Sequence, residues 1–454
     1  MPDAQQAPSS WDKTDIMSLF DPATGVLDRR VLSDEQIYKL ELERIFARGW
    51  NFMCHESQIP KTGDYFINYI GEDQVIVVRD DDGNVNVLLN SCRHRGNALC
   101  RSEQGHAKNF VCSYHGWNYA LDGRLVAVPG EKTYYRSAID RSRLGLVKAA
   151  RVESYLGFFF ATMDPDAPSL HDYLGEVGRT GLGMVCAYGE VEVIDGVQKN
   201  MIDCNWKIAV DNLFDWYHVM FSHASAGKSG ILDLPQILHP NEQLVMLSEY
   251  GHAISGPAMP KEMQARVGPM TDDERDELSP TLPPDMRVRH RVADELMGPT
   301  GVRSIGHPNI FPNLWITLSG MQMCLRLPRG ASRTELWWFT VVPKNSPPQL
   351  RQAMVRLATH MFGPAGMLEQ DDGENWSQST RTSRGVANRK VGHQLVMGLG
   401  HDEVVANDRG EHYIETCINE HGQRWFYRGW TEWMAATSWK DLEANHSPLP
   451  QGPF

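Results

Sequence analysis

No run of apolar residues in this 454-residue sequence is long enough to cross a bilayer. The longest, Leu156-Gly-Phe-Phe-Phe-Ala-Thr-Met163, falls far short of the roughly 20 residues a membrane helix needs and reads as a buried strand. The first residues lack the basic-then-apolar pattern of a secretory leader. Cysteine is sparse: eight residues, irregularly spaced outside one segment, do not make a disulfide framework. Positive charge is in deficit, with a formal net charge of −13 and no basic stripe, so nucleic acid is not an expected partner. No G-x-G-x-x-G follows a candidate strand and no Walker loop occurs, so no nicotinamide, flavin or nucleotide site is expected. The expectation is a cytoplasmic protein with reduced thiols.

What is present is concentrated in a few segments. Cys92-Arg-His94 and Cys112-Ser-Tyr-His115 lie seventeen residues apart. Two thiolates and two imidazoles in this mixed order are what a Rieske [2Fe–2S] centre needs, with sulfur on one iron and nitrogen on the other. A structural zinc site uses the same ligand types, but its usual spacing keeps like ligands together, C-x-x-C followed by H-x-x-x-H. Here each arm mixes one Cys with one His, and Gly96 and Gly116 follow, as two tight loops closing on one cluster would require. Cys54, Cys100, Cys186, Cys204, Cys324 and Cys417 read as ordinary buried thiols. A redox centre without a nucleotide site takes its electrons from another protein.

The organisation around the motif is α+β. Residues 1–47 end in a charged amphipathic helix from about 33, with Ser33 or Asp34 as N-cap and Ile37, Leu40 and Ile45 apolar. Residues 48–165 alternate in short runs separated by Gly- and Asp-rich turns, which reads as a small antiparallel β domain enclosing the cluster. Residues 166–454 mix helices and strands, with a strand over 334–342 and a helix over 349–362.

The second constellation is Asp211-Asn-Leu-Phe214-Asp215-Trp-Tyr-His218-Val-Met220-Phe-Ser-His223. On a helix Asp215 would share a face with His218, and Asp211 with Asp215. Buried acids so placed are costly unless paired or metal-linked. Positions five apart, however, diverge by about 140° on an α-helix, so both histidines reach one metal only if the helix is broken between them. A third, acidic ligand completing a 2-His-1-carboxylate triad would leave positions open on Fe(II). The densest acidic segment is Leu368-Glu-Gln-Asp371-Asp372-Gly-Glu-Asn-Trp376, and spacing does not choose between Asp371 and Asp372.

In motif order and spacing the whole chain resembles the large (α) subunit of the Rieske non-haem iron aromatic ring-hydroxylating dioxygenases, in texture the naphthalene and biphenyl branch. The resemblance implies that His218, His223 and Asp372 bind a mononuclear iron and that Asp215 bridges it to the Rieske centre. It implies a helix-grip catalytic domain, an antiparallel sheet flanked by helices. It implies a small β subunit in an α3β3 assembly, with the Rieske domain of one α subunit docked on the next. Electrons would pass from NADH through a separate reductase and ferredoxin, and the product would be a cis-dihydrodiol.

Phe214, Trp216, Val219, Met220, Phe221, Phe362 and Leu368 lie near the proposed iron in sequence, and the segment His307-Pro-Asn309 resembles a pocket-lining stretch of the family. No Arg or Lys occurs in 211–226 or 357–376. An apolar aromatic pocket suits neutral arenes such as biphenyl, naphthalene or larger polycyclics. An aromatic acid such as salicylate, handled by a monooxygenase, is the alternative, and would need Lys207, Arg303 or another cation to approach in space. A non-enzymatic Rieske carrier is the third reading.

Overall fold

The computed structural model describes residues 11–187, 189–230, 243–259, 293–317 and 322–454. The first ten residues, where no leader pattern is expected, lie outside them. Among the described residues no helix is long and apolar enough to cross a membrane.

The chain divides into two compact units. One comprises 46–172 and 192–195, the other 1–45, 173–191 and 196–454. The sequence-based boundary at 165 therefore falls short of the structural one. Residues 166–172 stay with the first unit because the Pro168 carbonyl accepts from Trp50 Nε1 and Glu153 accepts from the Leu170 N–H. Val193 is held there too, its N–H donating to Ser57 Oγ.

Alternating, β-branched runs make the smaller unit a set of antiparallel sheets. Strand Asp64–Ile70 pairs with Asp73–Arg79, which pairs with Val85–Leu89. A second sheet orders Leu125–Ala127, Asn118–Tyr119 and Phe110–Val111. The apolar run at 156–163 is indeed a strand, Phe158–Thr162, paired with Asn51–His55 and Arg151–Tyr155. Ile76, Val78, Leu88, Trp117, Tyr119, Leu121 and Leu125 form the core beneath the cluster loops.

The larger unit is built on an antiparallel sheet. From one side its strands run Thr334–Pro343, Gln322–Pro328, Leu314–Ile316, His307–Ile310, Ala253–Pro257, Gln243–Leu247, His412–Ile414, Glu403–Ala406 and Gly452–Pro453. Gln198–Ile202 adds to the first of these. The helix expected near 33 is Glu35–Glu41, capped by Asp34, whose carboxylate accepts from the N–H of Gln36 and Ile37, and it ends in a π-helical turn, Leu42–Phe46. The helix expected over 349–362 spans Pro348–Met361.

One buried ion pair anchors the segment that leads into the site. Glu41 accepts from Lys207 Nζ and from the indoles of Trp206 (2.8 Å) and Trp430 (2.9 Å). Every carboxylate oxygen is used, which is the condition under which a fully buried pair is tolerated. It ties helix Trp206–Asp211 to helix His421–Ala435.

Candidate cluster and metal sites

The cluster residues occupy two loops closed in the same way. In the first, the Cys92 N–H donates to Asn97 O (2.9 Å) and the Gly96 N–H to Cys92 O (2.8 Å). In the second, Cys112 N–H donates to Trp117 O (2.8 Å) and Gly116 N–H to Cys112 O (2.8 Å). Gly96 and Gly116 sit at φ +74° and +72°, where a Cβ is strained. The backbone conformation is itself a reason for glycine at both positions. A Cβ at Gly116 would meet Pro129, at 2.9 Å, and one at Gly96 has space.

Each loop presents one sulfur and one imidazole. The rings of His94 and His115 lie 4.5 Å apart, and His94 stacks on Trp117 at 4.9 Å. Tyr119 Oη lies 3.3 Å from Cys92 Sγ and accepts from the Arg93 N–H. Burial pushes the Cys112 thiol up, but the N–H groups of Tyr114 and His115, with Cys92 and Asn97, bring it below the usual thiol value. Cys100 is pushed up to about 12 by burial, which a hydrogen bond from Tyr65 only partly offsets. Thiolate-favouring donors and a buried, unpartnered His94 Nδ1 fit a [2Fe–2S] group with Cys on one iron and His on the other.

The second site begins where helix Trp206–Asp211 tightens into a 3-10 turn, Asn212–Phe214, and stops. Asp215 is extended (φ −88°, ψ 98°), so the expected helical face shared by Asp211, Asp215 and His218 does not form. The Asp215 carboxylate instead accepts from the N–H groups of Tyr217 (2.9 Å) and His218 (3.1 Å), a local turn that competes with helix. Asp211 is not part of the site. It is buried against Tyr427, whose hydroxyl donates to it at 2.8 Å, and burial raises its pKa to about 8. A single helical turn, Val219–Ser222, follows, and a new helix, Ala224–Ser229, begins after His223, which sits at φ −101°, ψ 24°. This break brings the two histidines together.

His218 Nε2 and His223 Nε2 lie 3.2 Å apart. Asp372 Oδ1, from helix Met367–Ser383, is 3.3 Å from the first and 3.4 Å from the second. Three atoms so spaced fit around one ion at about 2.1 Å, the distance at which imidazole and carboxylate bind zinc-sized divalent cations. Asp372 Oδ1 and both Nδ1 atoms are buried without a hydrogen-bond partner. Behind each ring stands a second carboxylate: Asp215 Oδ2 is 3.8 Å from His218 Nδ1, and Asp371 Oδ2 is 3.7 Å from His223 Nδ1. Asp371 also accepts from Ser225 Oγ (3.0 Å), which separates its position from that of Asp372. Burial alone would depress His218, yet Asp215 and Asp372 raise its pKa to about 10, so this spot is built for positive charge. The donor set is that of a 2-His-1-carboxylate iron site.

Beside the triad lies a cavity of about 620 Å³, counting the space that opens to solvent. Of the residues expected to line it, His307, Phe362 and Leu368 do, with Trp216 and Val219. Phe214, Met220 and Asn309 do not line it. Phe214 is buried elsewhere, against Gly422, and Met220 and Phe221 stand 49% and 70% exposed on the outer side of their single turn. Asn309 lies one pleat beyond His307 on strand His307–Ile310. Trp315, Trp376, Met361 and Arg326 also line it, as do Asn212, Leu213 and Asp215. The cation-free windows 211–226 and 357–376 did not foretell Arg326, which arrives from strand Gln322–Pro328. Its signal in the sequence was an arginine inside an otherwise apolar run. Lys207 and Arg303, by contrast, are spent on Glu41 and Glu415.

Known proteins agree with this geometry. Residues 49–151 match the Rieske [2Fe-2S] domain and residues 184–436 the ring hydroxylating alpha subunit catalytic domain. The chain is 36% identical to the biphenyl 2,3-dioxygenase subunit alpha of Rhodococcus jostii (strain RHA1), covering 97% of this chain and 96% of that one. It is also 36% identical to the naphthalene 1,2-dioxygenase large oxygenase component of Pseudomonas aeruginosa, over 92% and 94% of the two chains. A crystal structure of a naphthalene 1,2-dioxygenase variant bound to phenanthrene superimposes with a TM-score of 0.83 at 30% identity, covering 96% of this chain and 98% of that one.

Proposed function

The chain belongs to the ring-hydroxylating α subunits that carry a Rieske domain and is an aromatic ring-hydroxylating oxygenase, and we propose that it adds both atoms of O2 to one face of an arene, giving a cis-dihydrodiol. The observation that carries this reading is the convergence of His218 Nε2, His223 Nε2 and Asp372 Oδ1 at the wall of an aromatic cavity. When bound, the iron supplies dioxygen activation and the cluster supplies electrons one at a time. His218, His223 and Asp372 would hold the ion, a donor set that leaves positions open for reactants. The apolar wall orients a flat ring and excludes water.

Asp215 acts behind His218. Its Oδ1 is taken by two backbone N–H groups, and Oδ2 faces His218 Nδ1 with capacity for a further donor. That donor is a cluster histidine such as His115 of a neighbouring copy in an α3β3 assembly, which gives the electron a route through two imidazoles and one carboxylate. A small β subunit, a ferredoxin and an NADH-dependent reductase complete the cytoplasmic system. Arene plus O2 becomes the dihydrodiol by taking up two electrons and two protons; NADH supplies both electrons and one proton, and solvent supplies the other.

The test is a single turnover of reduced holoenzyme with naphthalene or biphenyl under 18O2, products read by mass spectrometry. A cis-diol with two labels is expected. A singly labelled product from a fully iron-loaded protein overturns the dioxygenase reading.

A further inference from the structure

The cavity holds one residue that oxygenation of an unsubstituted ring does not use. Arg326 stands within strand Gln322–Pro328, every residue of which is buried, and is itself 1% exposed. Its backbone is committed to the sheet, where it pairs with Leu336 and donates its N–H to Asn313 O. Its guanidinium lies 4.4 Å from the centroid of the Trp315 ring and lines the same cavity as His218, His223 and Asp372. Its Nε and Nη1 have no hydrogen-bond partner among the described residues. The acids that act on it, Glu369 and Asp372, do so through space without a hydrogen bond. Glu369 spends Oε1 on Asn200 and on the Trp338 indole, while its Oε2 is buried without a hydrogen-bond partner and makes none to Arg326.

A guanidinium offers five N–H donors in a planar fork and keeps its charge at any ordinary pH. Burying one with open donors is costly unless something completes it. The Trp315 face offsets part of the charge but satisfies no N–H. Much of the remaining lining is apolar, with Leu213, Val219, Met361, Phe362, Leu368 and Trp376, so the completing group comes with a ligand whose remainder is apolar too.

We propose that Arg326 anchors an anionic substituent, making the preferred substrate an aromatic ring that carries a carboxylate. The ring lies against Phe362, Leu368 and Trp376 and the carboxylate takes charge-assisted hydrogen bonds from the guanidinium. This deepens the ring-oxygenation reading and rests on it. The neutral-arene expectation drew on cation-free sequence windows, whereas the cavity as folded contains a cation.

Naphthalene and 2-naphthoate present the same fused rings without and with the carboxylate. Their binding to the holoprotein is read by quenching of tryptophan fluorescence, since Trp216, Trp315 and Trp376 line the cavity. Their conversion is read by single turnover. The wild type is expected to bind 2-naphthoate at least tenfold more tightly, a modest return for a hydrogen bond to a charged group. Arg326→Met should cut that preference at least tenfold, and Arg326→Lys, which keeps the charge but not the fork, should cut it less. A preference unchanged in Arg326→Met, or a wild type that prefers naphthalene, overturns the anchor. If Arg326→Met does not fold, the same ratio in Arg326→Lys decides: no change there overturns it. Oxygenation of naphthalene with an unchanged ratio removes the anchor and leaves the reaction. Tight, Arg326-dependent binding of 2-naphthoate without any oxygenated product does the reverse.

Discussion

His218 and His223 are five residues apart, yet their Nε2 atoms lie 3.2 Å from each other. A continuous α-helix would point the two side chains about 140° apart. The chain reaches this proximity by stopping one helix at Ser222 and starting another at Ala224, with His223 outside both. Asp372 then closes the triangle from a separate helix. Geometry therefore distinguishes the two adjacent acids that spacing leaves equivalent. Asp372→Ala is expected to remove one of three irons per chain while the visible spectrum of the cluster persists. Asp371→Asn, altering a group that faces Ser225 and the far nitrogen of His223, should keep all three. Iron analysis paired with the cluster absorbance checks both. Loss of iron in Asp371→Asn but not in Asp372→Ala would reverse the assignment.

Asp215 offers the second test. Its Oδ2 faces His218 Nδ1 at 3.8 Å. Carboxylates behind a ligating histidine typically contribute 10–100-fold to activity or affinity. Asp215→Asn keeps the turn-capping oxygen for the Tyr217 and His218 N–H groups, so the fold should survive. Three irons per chain with product formation slowed by roughly 10–100-fold is the expected result. The decisive readout is reoxidation of the reduced cluster in a single turnover, which should slow in parallel. Wild-type reoxidation would exclude Asp215 from the electron path.

These residues were unequally legible in the sequence. Cys92, His94, Cys112 and His115 could be read because cluster ligation demands fixed short spacings within two loops, and local backbone closure enforces them. His218 and His223 could be read as a pair, and the need for a break between them followed from helix geometry alone. Asp215 could be singled out, but the helical face offered as its reason does not form: its carboxylate accepts from the N–H groups two and three residues on, which caps the turn that follows instead of continuing the helix before it. Met220 and Phe221 looked like pocket residues for their neighbours' sake, but they occupy the outer side of a turn whose Val219 faces the cavity. Arg326 was out of reach because a strand more than a hundred residues from the histidines delivers it, and only sheet order brings strands 307–310, 314–316 and 322–328 side by side. Local chemistry is written in spacing, whereas the cavity wall is written in long-range pairing.

The hydroxyl of Tyr119 bears on the cluster potential. It lies 3.3 Å from Cys92 Sγ and is fixed by the Arg93 N–H, which leaves its own proton free for the sulfur. A donor to a ligating sulfur stabilises the more negative, reduced cluster and raises its potential. Tyr119→Phe removes that donor and little volume. At about 1 kcal/mol for one hydrogen bond, the potential of the one-electron couple should fall by about 40 mV. Redox titration followed by EPR measures it, and an unchanged or higher potential would show that the hydroxyl does not donate to the cluster.

His252 gives the larger unit a stability that depends on pH. It is fully buried between two backbone groups, accepting from the Phe311 N–H at Nδ1 (2.8 Å) and donating from Nε2 to Tyr173 O (2.7 Å). Both bonds require the neutral ring, since a proton on Nδ1 would face another donor. Burial accordingly lowers its pKa to about 4. An unfolded imidazole titrates near 6.5, so between about 4 and 6.5 the unfolded chain binds a proton that the folded chain does not. Stability from this site is therefore complete above about pH 6.5 and is lost as the pH falls toward about 4, by on the order of 3 kcal/mol at most. His252→Gln supplies an acceptor for Phe311 and a donor for Tyr173 without a titrating group. The variant should start less stable and lose less between pH 7 and pH 5 than the wild type, as read from urea midpoints at each pH. Parallel pH profiles would mean that the ring is protonated in the folded protein, and that one of its two backbone bonds is not made.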